Sequence, residues 1–205
     1  MLRGFRIWLL VGGAALAWYG FKEWRLASVT KAEPQRITCA ALERDGYGDN
    51  AHVLITDFLM SPTGFVYSEG KQGSGWKAVY VPLVPLDGSY AAALRDLPKD
   101  QAPPAPGQFG VILKTERAPN EAALVRLGDS DTLLGVVINE IDALDAKTKD
   151  LLARGYPGID LDACWIVEDR RTVKGSGTGL GLLAGGLALL VLGAWLLYRR
   201  FRPAS

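Results

Sequence analysis

Two uncharged apolar runs stand near the ends of the chain, and between them the hydrophobic positions fall in short groups separated by turn residues. The first run, Ile7 to Phe21 (IWLLVGGAALAWYGF), is fifteen residues long. As a helix it spans about 22 Å at 1.5 Å per residue, short of a bilayer core of about 30 Å. Arg3 and Arg6 on one side and Lys22 on the other can snorkel, and Trp8, Trp18 and Tyr19 stand where interfacial aromatics belong, so the effective span is longer. A cleaved secretory signal is the competing reading, because MLRGFR is basic; no small-x-small pattern lies at the polar boundary, which favours an uncleaved anchor. The second run, Thr178 to Tyr198, has 21 uncharged residues followed at once by Arg199, Arg200 and Arg202. A stretch that long and apolar on every face predicts a membrane span.

Neither run carries a charge, which excludes a proton relay or ion carrier built from these helices within one protomer. Gly181 and Gly185 form a small-xxx-small pair, and with Gly12, Gly13 and Gly186 they would let two backbones approach. Two spans place both basic tails on one side, and the density of arginine in each assigns that side to the cytoplasm. The expected partition is a tail at 1–6, a transmembrane helix at 7–21, a tether at 22–36 and an extracytoplasmic domain at 37–170. A linker at 171–177, a second transmembrane helix at 178–198 and a tail at 199–205 follow. This describes a two-pass protein of a bacterial inner membrane.

Within the central region, Thr38 is placed to cap a short helix, CAALERD, ended by Gly46, and YGDN supplies a turn before an alternating run from His52 to Phe58. Phe65 to Tyr67, WKAVYVPLVPL, FGVILK, LLGVVI and Cys164 to Glu168 read as further strands; Pro82 and Pro85 suggest an edge for the second of these. Asn120 and Asp145 are placed to cap helices over Glu121 to Leu127 and up to Gly155. The sum is an α+β domain with a mixed or antiparallel sheet of about five or six strands and three short helices, flanked by the two membrane helices.

A formal charge of +1 in 205 residues, with no basic stretch interleaved with aromatics, gives no footprint for nucleic acid. The most concentrated polar cluster is Asp45 to Asn50 with His52, and Asp57 at the far end of the following strand. Asp49 and His52 would share a proton or hold a cation, and with Asn50 and Asp57 they are the candidates for holding a ligand; the alternative is that Asp, Gly and Asn here serve the turn. His52 is the only histidine, so a histidine-rich metal site is excluded, and no cofactor is indicated. Glu140, Asp142 and Asp145 in NEIDALD offer carboxylates, of which Asp145 already has a capping role. Cys39 and Cys164 would close a loop of about 125 residues in an oxidising compartment, worth about 5 kcal/mol by loop entropy; the alternative is two separate buried thiols.

The layout of helix, β-rich extracytoplasmic domain and helix resembles that of the surfeit-locus assembly factors of haem-copper oxidases, with VPLVPLDG and FGVILKTERAP roughly where that family has its Pro-Leu and strand motifs. The resemblance is one of architecture. LKTERAP stands where those proteins carry an Asn-Arg-Gly-Trp-Val-Pro type stretch, so no haem-related residue transfers, and the chain reads instead as belonging to a separate bacterial family of two-pass membrane proteins. The function expected is a non-enzymatic, membrane-anchored interaction or assembly protein of the cell envelope, its partners the bilayer and a protein or a second copy. The alternative is an envelope hydrolase or ligand-binding domain centred on Asp49, Asn50 and His52.

Overall fold

A computed structural model describes residues 2–61, 63–70, 75–98, 101–139, 144–173 and 175–201, with the side chains of 2–6, 200 and 201 excepted. The chain forms two compact units, one of Met1–Val29 with Thr172–Ser205 and the other of Thr30–Arg171. Among the described residues there are six helices and eight strands.

The first unit is a pair of long helices, α1 (Leu2–Ser28) and α6 (Ser176–Phe201). α1 runs well past the apolar stretch 7–21, through much of the expected tether, and α6 takes in the end of the expected linker. The helices lie antiparallel: Gly20 meets Gly179 and Leu183, Gly13 meets Gly186 and Leu190, and Leu10 meets Gly193. A β-carbon at Gly13 would lie 3.0 Å from Gly186 O and Leu190 N, and one at Gly186 would lie 2.7 Å from Gly13 O. The contact glycines recur every seven residues, at 13 and 20 on one helix and at 179, 186 and 193 on the other. That repeat keeps one seam of each helix facing its neighbour. A β-carbon at Gly12 or Gly181 would meet nothing within 4 Å, and one at Gly185 only Leu16 Cδ2 at 3.9 Å. The close approach therefore uses the heptad glycines and not the Gly181–Gly185 pair.

The second unit carries the sheet, in the order β1 (Gln35–Thr38), β2 (His52–Thr56), β7 (Thr132–Val137), β8 (Trp165–Asp169), β6 (Val111–Thr115), β5 (Trp76–Pro85), β3 (Phe58–Met60), with β4 (Val66–Glu69) also on β5. It is mixed: β1 with β2 and β6 with β8 are parallel, and the other pairs antiparallel. Eight strands exceed the five or six expected. β1 takes its first two residues, Gln35 and Arg36, from the expected tether, and the run from His52 to Phe58 divides at Asp57 into β2 and the start of β3.

That division determines the shape of the sheet. One residue separates β2 from β3, yet β2 pairs with β7 and β3 pairs with β5, at opposite ends of a path through β8 and β6. The sheet must therefore coil into a barrel that the bent strand 52–60 closes. The corner is Asp57, held at φ 55°, a left-handed conformation rare outside glycine, asparagine and aspartate. Its carbonyl accepts from Leu86 N at 2.9 Å, fixing the corner to the end of β5.

β5 is not an edge strand, since β6 flanks one side and β3 with β4 the other. Pro82 is accommodated because β3 and β4 are one interrupted strand. Met60 pairs with Leu83 and Val66 with Tyr80, so Pro82 faces the break, where its carbonyl accepts from Ser61 N at 3.0 Å and a missing N–H leaves no ladder partner unpaired.

The short helices begin where their caps stand. Thr38, Asn120 and Asp145 accept from the backbone N–H of Ala41, Ala123 and Thr148, opening α2 (Cys39–Asp45), α4 (Glu121–Gly128) and α5 (Ala146–Gly155). A further helix, α3 (Ser89–Arg95), has no side-chain cap, which is why the capping signals did not reveal it. Leu152 and Tyr156 from the end of α5 pack with Val84, Phe109, Ile112, Leu161 and Cys164 on one face of the sheet. Val111 and Leu113 alternate to the other face and are also fully buried, so β6 is covered on both sides.

Candidate functional site

Asp49, Asn50 and His52 are brought together, and what they hold is the chain's own backbone. The Asn50 side chain, almost wholly buried, accepts from Lys31 N at 2.9 Å and His52 N at 3.0 Å and donates to Glu33 O at 2.9 Å. His52 Nδ1 lies 3.1 Å from Lys31 O. Gln35 Nε2 donates to Asn50 O at 2.8 Å, and Lys31 Nζ pairs with Asp49 at 2.5 Å on the surface. The hydrogen bond and charge of Lys31 hold the Asp49 carboxyl below its ordinary range. The cluster thus clamps residues 31–35 onto the turn before β2, and β1 follows directly from it. Asp57 lies elsewhere, at the other end of five-residue β2, roughly 17 Å along the strand. Its carboxylate accepts from Thr56 Oγ1 at 2.9 Å.

Of the NEIDALD carboxylates, Glu140 and Asp142 lie outside the described residues, and Asp145 caps α5. Its bonds from the Thr148 side chain and backbone keep it ionised below the usual range. Asn139, in the same segment, bridges to β8 by donating to Cys164 O and accepting from Ile166 N, both at 2.7 Å.

The disulfide considered between Cys39 and Cys164 is absent: both are free and buried. Burial, reinforced by nearby carboxylates, pushes the Cys39 thiol up to about 12 and that of Cys164 to about 11. At pH 8 the thiolate fraction of either is at most about a thousandth. Iodoacetamide at that pH is expected to leave both unmodified in the folded chain and to label both after denaturation; rapid labelling of the native protein, read by mass spectrometry, would show that one is accessible.

The charged chemistry concentrates in a place the sequence reading passed over, at the C-terminal ends of the parallel strands β6 and β8. Lys114, Glu116, Arg117, Glu168, Asp169, Arg170 and Arg171 line a cleft of about 500 Å³. Register sets Lys114 beside Glu168. Glu168 takes Lys114 Nζ at 3.0 Å and Arg171 at 2.5 Å on its two oxygens. Burial pushes its carboxyl up, but these hydrogen bonds outweigh that and hold it below the ordinary range. Asp169, whose side chain is 1% exposed, accepts from Thr115 Oγ1 at 2.8 Å and from Arg117 at 3.3 Å. Gly135 on β7 lies against this end of β8, where a β-carbon would stand 2.6 Å from Val167 Cγ1 and 2.9 Å from Glu168 O. The available signal was the pair of charged quartets KTER and EDRR, each closing a hydrophobic strand.

Arg170 and Glu116 differ from the rest. Both are exposed, both line the cleft, and neither has an ion-pair or hydrogen-bond partner for its side chain among the described residues. Arg170 is also held at φ 51°, its backbone N–H bonded to Leu134 O at 2.9 Å. Comparison with known protein families, curated proteins and solved structures finds no match to the chain.

Proposed function

We propose that the chain is a membrane-anchored, non-enzymatic interaction or assembly protein of the cell envelope, held by both terminal helices with the Thr30–Arg171 unit outside the cytoplasm. One helix, Ser176–Arg199, is long and apolar enough by itself to cross a membrane. The observation that carries the two-pass reading is the arrangement of the pair. Glycines and Ala17 occupy the seam, while large apolar side chains point outward from both helices, with Trp8 74% and Val191 70% exposed. Small residues within and bulky apolar residues without suit a lipid surround, since water would meet an apolar patch far larger than soluble chains expose.

A protein partner is supported by the sheet. β4 pairs only with β5 among the described residues, so its outer edge is open to strand addition. Beside it Tyr67 and Trp76 stack at 4.5 Å. The rival centred on Asp49, Asn50 and His52 loses support because the side chains of all three are engaged in the clamp.

Protease added to spheroplasts is expected to degrade the central unit while both helices stay membrane-bound after alkaline carbonate washing, with the N-terminal peptide retained. Protection until lysis would place the unit in the cytoplasm; loss of the N-terminal peptide would make segment 7–21 a cleaved signal.

A further inference from the structure

We infer that the cleft at the ends of β6 and β8 binds a zwitterion of the phosphoethanolamine class, its phosphate on Arg170 and Arg117 and its ammonium on Glu116. The internal pairs leave a defined remainder. Glu168 is satisfied by Lys114 and Arg171, and Asp169 by Thr115 and Arg117. What remains unpartnered in the same cleft is one guanidinium, Arg170, and one carboxylate, Glu116, which do not pair with each other. A ligand carrying a phosphate and a primary ammonium satisfies both at once, whereas a simple anion leaves Glu116 facing it. Arg117 can contribute because its contacts to Asp169 are long, at 3.3 Å, and its side chain is 44% exposed. Guanidinium is the side chain best shaped to take two phosphate oxygens.

The surroundings favour a lipid as the source of that group. Arg117, Asp169 and Arg170 also border an adjoining cleft of about 240 Å³ lined by Leu54, Leu127, Leu133 and Leu134 together with Ser130 and Thr132, so leucine side chains stand beside the charged recess. An amphipathic molecule has its head and the start of its apolar stem accommodated by that pair. Only residues 172–175 separate Arg171 from the first residue of α6. If α6 is anchored in the membrane, which this step takes from the proposed function, headgroups are the most concentrated zwitterions available.

The test uses the full chain in dodecyl maltoside, titrated with dihexanoyl phosphatidylethanolamine, dihexanoyl phosphatidylglycerol and soluble O-phosphoethanolamine, with binding read by native mass spectrometry. The wild type is expected to prefer the ethanolamine lipid over the glycerol lipid by about tenfold, the worth of one charge-assisted hydrogen bond. Arg170→Gln is expected to weaken both lipids about tenfold or more. Glu116→Gln should erase the preference while keeping the glycerol lipid bound. Both side chains are exposed and unpaired, so unchanged thermal midpoints are expected and separate lost binding from lost fold. Wild-type binding without preference, or Arg170→Gln binding like wild type, overturns the inference. Soluble phosphoethanolamine binding as tightly as the lipid upholds the recognised group and moves its source to a free metabolite. A chain that resists carbonate washing but binds no zwitterion refutes the cleft alone; one that binds but washes off refutes the anchoring alone.

Discussion

Replacing Gly186 by leucine is expected to force the terminal helices apart and to cost about 3 kcal/mol, the upper end of what overpacking a tight contact costs. The new β-carbon has no space: it would run into Ala17 N, with Ala17 Cα at 2.7 Å and Gly13 O at 2.7 Å. These are backbone atoms and the Cα of a small residue, so no side-chain rotamer can relieve the clash, and the helix axes must separate. Spin labels at Val11 and Leu192, exposed positions near the level of the Leu10–Gly193 contact, should report a widening of about 2 Å, the spread of ordinary interaxial distances. Gly181→Leu is the matched control, because nothing lies within 4 Å of its Cβ position. Equal label distances in both variants would mean that the seam does not run where the heptad glycines place it.

Asn50→Ala is expected to destabilise the central unit by about 3 kcal/mol, because truncating one buried side chain removes three hydrogen bonds at about 1 kcal/mol each. Lys31 N and His52 N lose their acceptor and Glu33 O loses its donor, at a position 3% exposed where water is poorly placed to substitute. The urea midpoint should fall by about 2 M for a domain of this size, and segment 31–35 should become the first protease cut. Asp49→Asn, in the same cluster, is expected to leave the urea midpoint unchanged, because an ion pair this exposed contributes little to stability. Similar midpoints for the two variants would remove the clamp and restore a ligand-binding reading of Asn50.

The contrast between these two neighbours shows where the sequence was informative. It marked Asp49, Asn50 and His52 as one polar cluster, and they are one. It could not say that Asn50 is buried and Asp49 exposed, because that depends on residues 31–35 returning across the turn. Asp57 entered the same cluster only by proximity along the chain. Five residues of strand carry it away, and it serves a barrel corner instead.

The capped helices α2, α4 and α5 could be read directly, since a cap bonds a backbone group three residues on and needs nothing distant. The same holds for the α+β class and the apolar run of α6, which are local patterns of hydrophobicity and turn chemistry. The sequence by itself determined these, together with the two basic-flanked ends. The tertiary structure alone decided the sheet order, the division of strand 52–60 and the position of Pro82 opposite a gap. It also decided which glycines form the helix seam, and the meeting of KTER with EDRR across parallel strands. Each of these pairs residues far apart in the chain, and the energy that fixes them arises only when a distant backbone arrives to share a hydrogen bond, a seam or a charge.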